Sequence, residues 1–255
     1  SRGMSRVFCD LRSQKTPRGI LPVNSSCVPA QCPYATQTNI VTIPKKCYNP
    51  FQKNKIKILK NTTIRRHKKM SKKVYIFLAD GFEDIEGLTV VDLLRRAGID
   101  IKTISIKETT RIQTSHGITM LTDAIFAETD FADADMLVLP GGMPGTKYLA
   151  GYKPLIDLLT DFNNKGKKIA AICAAPSVFS GLGFLKGRKA TSYPSFMEIL
   201  SKDGAVTSED SVVVDGNITT SRGLGTAVDF ALSLISQLEN EEKAKEIAES
   251  VVYTR

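Results

Sequence analysis

Three short apolar runs, each ending in a turn built of small residues, constrain this chain more than anything else in it. Val74–Ala79 runs into Asp80-Gly81, Met136–Leu139 into Pro140-Gly141-Gly142, and Ile169–Ile172 into Cys173-Ala174-Ala175-Pro176. A strand that is apolar at every position leaves no face for water, so it must lie in a sheet covered on both sides. Helical patterns alternate with these runs. Ile85–Ala97 carries Val90, Leu94 and Ala97 at helical spacing, with Gly98 placed to stop it. Ile99–Ile106 reads as a second strand, Pro154–Asn163 as a helix ending before Gly166, and Pro176–Leu182 as a helix opened by proline. Val212–Val214 and Ile218–Thr220 flank Asp215-Gly216-Asn217, a hairpin signal. Ala227, Ala231, Leu234, Ile235 and Leu238 mark one helix face, and Glu241–Val252 reads as a more charged helix. The alternation predicts an α/β fold with a mostly parallel sheet. Such sheets bind ligands beyond the carboxyl ends of their strands. Ala79–Glu86, Pro140–Gly145 and Cys173–Pro176 are therefore the segments to inspect.

Charge divides the 255-residue chain at position 70. Residues 1–70 hold 15 of the 35 Lys and Arg residues but one of the 26 acids, Asp10. The remainder is net −5, so the overall charge of +9 belongs to the leader, and no nucleic-acid partner is expected for the body. The leader also holds Cys9, Cys27, Cys32 and Cys47, and six of the 11 prolines. It lacks helical or strand periodicity and is expected to be unstructured. Its readings are an organellar transit peptide, an extension upstream of a true start at Met70, or an arm for a nucleic acid or membrane surface. No apolar core of a secretory signal is present. Only Cys27 and Cys32 approach zinc-ligand spacing, so no metal is expected. The body, residues 71–255, keeps one cysteine, Cys173, which fits a reducing, cytoplasmic location, with an organelle as the alternative if the leader is a transit peptide. No apolar run is long enough to span a membrane.

The strand ends carry the chemistry. Asp80-Gly81-Phe82-Glu83-Asp84-Ile85-Glu86 sets four acids at a strand-to-helix turn. Glu83 and Asp84 suit a helix start, where the macrodipole favours negative charge, whereas Glu86 can point back into a cleft. Pro140-Gly141-Gly142 permits close backbone approach, either as an ordinary turn or with free amides for an oxyanion. Cys173 sits between a buried strand and a helix start, where the thiol pKa is expected to fall and the thiolate to be reactive. An inert buried cysteine is the alternative.

Together with Leu78–Glu86, Val138–Gly142, Ala171–Pro176 and Thr220-Ser221-Arg222-Gly223, in this order, the body resembles the ThiJ/PfpI superfamily, in the branch of the parkinsonism-associated deglycase. The resemblance covers about 72–252. It implies a flavodoxin-like three-layer sandwich, a homodimer, and a cofactor-independent enzyme of 2-oxoaldehydes or glycated substrates, of the glyoxalase III or deglycase type. Carried over, Cys173 is the nucleophile and Glu86 the carboxylic acid bonded to its sulfur. Gly142 and Ala174 supply oxyanion amides. Tyr193 stands where some members have a histidine before proline, and it is a far weaker base at neutral pH. His116 matches a position whose basic side chain can approach the partner subunit's cysteine, an ordinary surface histidine being the alternative. Arg222 offers an anion-binding charge in the cleft or forms a surface salt bridge. Ala174 replaces the histidine that follows the nucleophile in the protease-like branch, which disfavours peptidase activity. A redox-sensing or chaperone-like stress protein using an oxidisable Cys173 is the alternative function. A role in thiamine-precursor metabolism finds no phosphate-binding loop to support it.

Overall fold

The structure is a computed structural model and describes residues 71–254. The leader, with the readings attached to it and its four cysteines, lies outside these residues. In chain order the elements are β1 (Lys73–Leu78), α1 (Asp84–Arg96), β2 (Asp100–Ser105), β3 (Arg111–Gln113), β4 (Thr119–Leu121), β5 (Ala124–Ile125) and β6 (Met136–Leu139). There follow α2 (Gly145–Gly151), α3 (Lys153–Asn164), β7 (Lys168–Ile172), α4 (Pro176–Gly181), β8 (Lys189–Ala190), α5 (Pro194–Lys202) and β9 (Val206–Thr207). The last are β10 (Val212–Asp215), β11 (Ile218–Ser221), α6 (Ala227–Leu238) and α7 (Glu241–Ser250). The main sheet runs β10-β11-β7-β6-β1-β2-β5, parallel throughout except for β10, which pairs antiparallel with β11.

Alternation along the central strands produces the three layers. Val74, Ile76 and Leu78 face one apolar cluster, while Tyr75, Phe77 and Ala79 face the other. Met136 and Val138 are likewise divided from Leu137 and Leu139, and Ala170 and Ile172 from Ile169 and Ala171. The first cluster is closed by α1 through Val90 and Leu94, by α6 through Phe230 and Leu234, and by Ile247 of α7. The second is closed by Leu155, Leu159 and Phe162 of α3, Phe179 of α4 and Leu200 of α5. Both faces are covered, so the strand interiors are apolar and the lysines Lys73 and Lys168 stand at the strand starts.

Local signals set the element ends. Gly98, at φ +79°, ends α1: its amide bonds the Arg95 carbonyl, and the Ile99 amide bonds the Leu94 carbonyl. That is a Schellman ending, with Ile99 and Leu94 in one cluster. Prolines near the starts of α3, α4 and α5 lack an N–H that the first turn would leave unbonded. The hairpin expected around Asp215-Gly216-Asn217 forms, with Gly216 at φ +61°. The final helix stops at Ser250, short of the expected Val252. Among the described residues no helix is long and apolar enough to cross a membrane.

From β1 the chain builds outward to β2 and β5, then returns to lay β6 on the other side of β1. The carboxyl ends of β1, β6 and β7 therefore open into one crevice, the switch point where α/β sheets bind ligands. Leu94 is fully buried between α1 and the sheet. Leu94→Ala is expected to cost about 2–5 kcal/mol, read as a lower urea midpoint at unchanged slope.

Candidate active site

Strand β7 delivers Cys173 into the crevice in a left-handed conformation, φ +64°. Such a backbone costs a non-glycine residue roughly 1–3 kcal/mol and persists only where its surroundings hold it. Here both peptide groups are held. The Cys173 amide donates to the Ser221 carbonyl at 2.9 Å, and the Tyr193 amide donates to the Cys173 carbonyl at 2.9 Å. Just beyond, the Ala175 amide returns to the Ile172 carbonyl at 3.1 Å and the Ser177 hydroxyl donates to the Ala174 carbonyl at 2.6 Å. The small residues after Cys173 permit this sharp elbow, and the sulfur is left half-buried at its tip.

Glu86 reaches the sulfur from β1's side of the crevice. It lies in the first turn of α1, is 1% exposed, and is hydrogen-bonded to the Cys173 sulfur. The Gly141 amide donates to Glu86 Oε2 at 3.1 Å, and the Leu224 amide also donates to the carboxyl. Glu83 caps the helix, accepting the Glu86 amide at 2.7 Å. A Cβ at Gly141 would sit 2.5 Å from Glu86 Oε2 and 2.6 Å from Cys173 Cβ, so only glycine fits. The amides of Gly142 and Ala174 both donate to the sulfur.

The electrostatics correct one expectation. Burial raises Glu86 to about 7, and the nearby Glu83 charge adds to the rise. The Cys173 thiol is not depressed: burial, then the ionised Glu86 beside it, push it up to about 12. The amides of Ala174 and Gly142 act in the expected direction but are outweighed. The two groups form one titrating unit that releases a proton near neutral pH and holds the second into alkaline solution. The retained proton lies between carboxyl and sulfur. When it is on Glu86, the carboxylate charge is gone and the carboxyl O–H can donate to the thiolate.

The other predicted residues divide. Tyr193 is at the site: its ring is the nearest neighbour of Gly223, whose Cβ would also approach Glu86 Oε1 and Cys173 Sγ. The phenol ring is exposed. Arg222 is not brought into the cleft. Its guanidinium donates to the Glu209 carbonyl at 3.0 Å, with the Glu209 carboxylate 3.9 Å away, so the salt-bridge alternative holds. His116 lies in the turn between β3 and β4, where its Nδ1 is 2.7 Å from Asp84 Oδ2. The buried Asp84 carboxylate raises the His116 pKa, although the ring itself is exposed. Glu83, Asp84 and His116 bring ligand-type atoms within 4.8 Å of one another. Within the group, Glu83 accepts the Glu86 amide and Asp84 Oδ2 pairs with His116 Nδ1.

Sequence reasoning missed three contributors. The β3–β4 hairpin is strapped to the β1–α1 turn by Ser115 N–H to the Phe82 carbonyl, 2.8 Å, and Gly81 N–H to the Gln113 carbonyl, 2.7 Å. Thr226 Oγ1 bonds Ser221 Oγ at 2.7 Å and accepts the Gly223 amide at 3.1 Å, which fixes the loop carrying Leu224 over Glu86. At Gly141 the sequence points to close backbone approach but not to the meeting of acid and sulfur across it. Its signal was the glycine pair directly after a buried strand.

Residues 72–237 match the DJ-1/PfpI family. Protein DJ-1 homolog A of Arabidopsis thaliana is 39% identical over 179 residues, 70% of this chain and 46% of that protein, so the chain spans about half the length of this relative. Protein dj-1beta of Drosophila melanogaster is 37% identical over 183 residues, covering 72% of this chain and 98% of the relative. Among solved structures, Drosophila melanogaster DJ-1beta superposes with a TM-score of 0.70 at 36% identity, over 73% of this chain and all (100%) of that one. The oxidized DJ-1 of Toxoplasma gondii superposes with a TM-score of 0.69 at 36% identity, over 72% and 100% of the two chains. The matched span contains β1 through α6 and both partners of the Glu86–Cys173 pair: this chain belongs to the DJ-1/PfpI family.

Proposed function

We propose that the protein is a cofactor-independent cysteine enzyme of 2-oxoaldehydes, free or as glycated adducts, converting methylglyoxal to lactate. The observation that carries this reading is a buried carboxyl bonded to a sulfur on a strained elbow, with two amides directed at that sulfur. The DJ-1/PfpI family includes deglycase and glyoxalase-like enzymes, which agrees with it.

The chemistry balances with these groups and one water. The Cys173 thiolate adds to the aldehyde carbon while Glu86 gives its proton to the new alkoxide oxygen, forming a hemithioacetal. Before that transfer, the Gly142 and Ala174 amides flank the oxygen where charge develops. The Glu86 carboxylate then removes the hydrogen from C1 and returns it to C2, while the C1 hydroxyl proton passes to the C2 oxygen. The product is a lactoyl thioester on Cys173. Water cleaves the thioester, which releases lactate and restores the thiol–carboxyl pair. Tyr193 stands at the rim to hydrogen-bond the substrate carbonyl rather than to act as a base.

A second reading uses the same sulfur as a peroxide sensor, oxidised to sulfenate with release of water and then to sulfinate by a second peroxide. It is favoured by the two amides at the sulfur, which can bond sulfinate oxygens, and a relative of known structure is described as oxidized.

We also propose a homodimer. Ile85 and Leu88, on the outer face of α1, are 48% and 37% exposed, and Ile118 and Leu121 of the β3–β4 hairpin are 53% and 69% exposed. The hairpin is strapped to the turn that starts α1, and exposed apolar side chains on both elements are reason for a cover.

The reading makes three predictions. Lactate formation from methylglyoxal, without glutathione or metal, is expected to vanish in Cys173→Ala and to fall at least about 100-fold in Glu86→Gln. Activity retained by Cys173→Ala refutes the enzyme, whereas loss of activity in a wild-type protein that takes up two oxygens favours the sensor. Alkylation of Cys173 by iodoacetamide is expected to rise with pH through a midpoint near the Glu86 value of about 7, because the pair loses its first proton there. A midpoint near 8.5, the ordinary thiol value, would show that the pair does not act as a unit. Light scattering is expected to give twice the chain mass, and the monomer mass for Ile85→Glu combined with Leu88→Glu.

A further inference from the structure

The start of α1 carries a carboxylate that the proposed chemistry does not use. Glu83 accepts the amide of Glu86 at 2.7 Å, and its own amide donates to the Gly141 carbonyl at 3.0 Å. It is thereby locked between the acid and the glycine turn that separates acid from sulfur. Its neighbour Asp84 is matched by His116, whereas Glu83 has no ion pair among the described residues. The Glu83 charge is a leading influence on Glu86, whereas burial, Glu86 and the amides of Ala174 and Gly142 dominate at Cys173. The other groups at the carboxyl are the Cys173 sulfur and the amides of Gly141 and Leu224. Among the described residues the cation that feels the Glu83 charge is His116, held on Asp84.

A like charge near one member of a pair that shares a proton does not act evenly on it. It penalises the state in which Glu86 is ionised more than the state in which the sulfur is ionised. We propose that Glu83 is a positioning residue that biases the shared proton towards Glu86 and so raises the share of Cys173 present as thiolate. The proposal rests on the Glu86–Cys173 pair being the reactive centre, but it does not depend on which substrate the thiolate meets. Helix capping and charge are two separable functions of one side chain. Glutamine keeps an oxygen that can accept the Glu86 amide and loses the charge, whereas alanine loses both.

The test is the rate of Cys173 alkylation by iodoacetamide from pH 5 to 9 in the full chain, for wild type, Glu83→Gln, Glu83→Ala and Asp84→Asn, with the Tm of each. In Glu83→Gln the rate at neutral pH and above is expected to fall about three- to tenfold, and the midpoint to move to lower pH, because Glu86 now ionises more readily. Well below the midpoint the two rates draw together, since the charge acts mainly on Glu86. The Tm stays near that of wild type because the cap survives. Glu83→Ala shows the same kinetic change with a lower Tm. Asp84→Asn leaves the neutral rate at the wild-type value. A Glu83→Gln profile identical to wild type overturns the proposal and leaves Glu83 as a cap alone. A uniform fall at every pH overturns it as well, since that marks structural damage, and an equal fall in Asp84→Asn overturns it in favour of a diffuse field. If Cys173→Ala still turned over methylglyoxal, the enzyme reading would fail, and the alkylation profiles would still decide the role of Glu83.

Discussion

Two backbone hydrogen bonds hold Cys173 where a side-chain-bearing residue resists being placed, and the site is assembled around them. One comes from β11 through the Ser221 carbonyl, the other from the first residue before α5 through the Tyr193 amide. The parallel pairing of β7 with β11 therefore does more than extend the sheet. It carries the loop Arg222–Thr226 to the same end of the molecule, so that Leu224 and Gly223 close over the acid. The same hydrogen bond to Tyr193 fixes the entry into α5 and sets the phenol at the rim. Strain at one residue is thus balanced by two separate segments, both of which contribute to the crevice.

Burial then determines the chemistry. A carboxyl at the surface would ionise near 4 and leave an ordinary thiol beside it. Inside the crevice both groups resist charge, and the pair must carry one negative charge between them at physiological pH. Reactivity here comes from a proton with two possible owners rather than from a thiol of low intrinsic pKa. The six residues of α4 offer little help from a helix terminus, and the amides of Gly142 and Ala174 replace it.

Much of this was legible in the sequence because its determinants are local. Wholly apolar strands can only be central, and proline and glycine mark where they stop, so the sheet, both layers and the positions of Glu86, Gly142 and Cys173 follow from short strings. What was not legible depends on residues distant in the chain. The thiol pKa runs opposite to the expectation from the flanking helix start, because burial, which no short string displays, outweighs it and the Glu86 carboxylate adds to the rise. Arg222 adjoins the site in sequence, yet its side chain leaves it for Glu209, a choice that no spacing encodes. Asp84 and His116 meet only because the hairpin folds back on Phe82 and Gly81. Short elements such as β3, β4 and α2 carry too few residues to display a period.

Gly141 has a consequence for how such a site can diversify. Its missing side chain is the gap through which acid and sulfur touch, with less room than one methyl group needs. Any substitution there pushes the two apart at once, and any enlargement of either partner meets the same wall. The outer ring, where Tyr193, Leu224 and Met143 are exposed, is not walled in this way. Lineages descended from such a chain can change what they admit, but the few atoms at its centre must be inherited as a block.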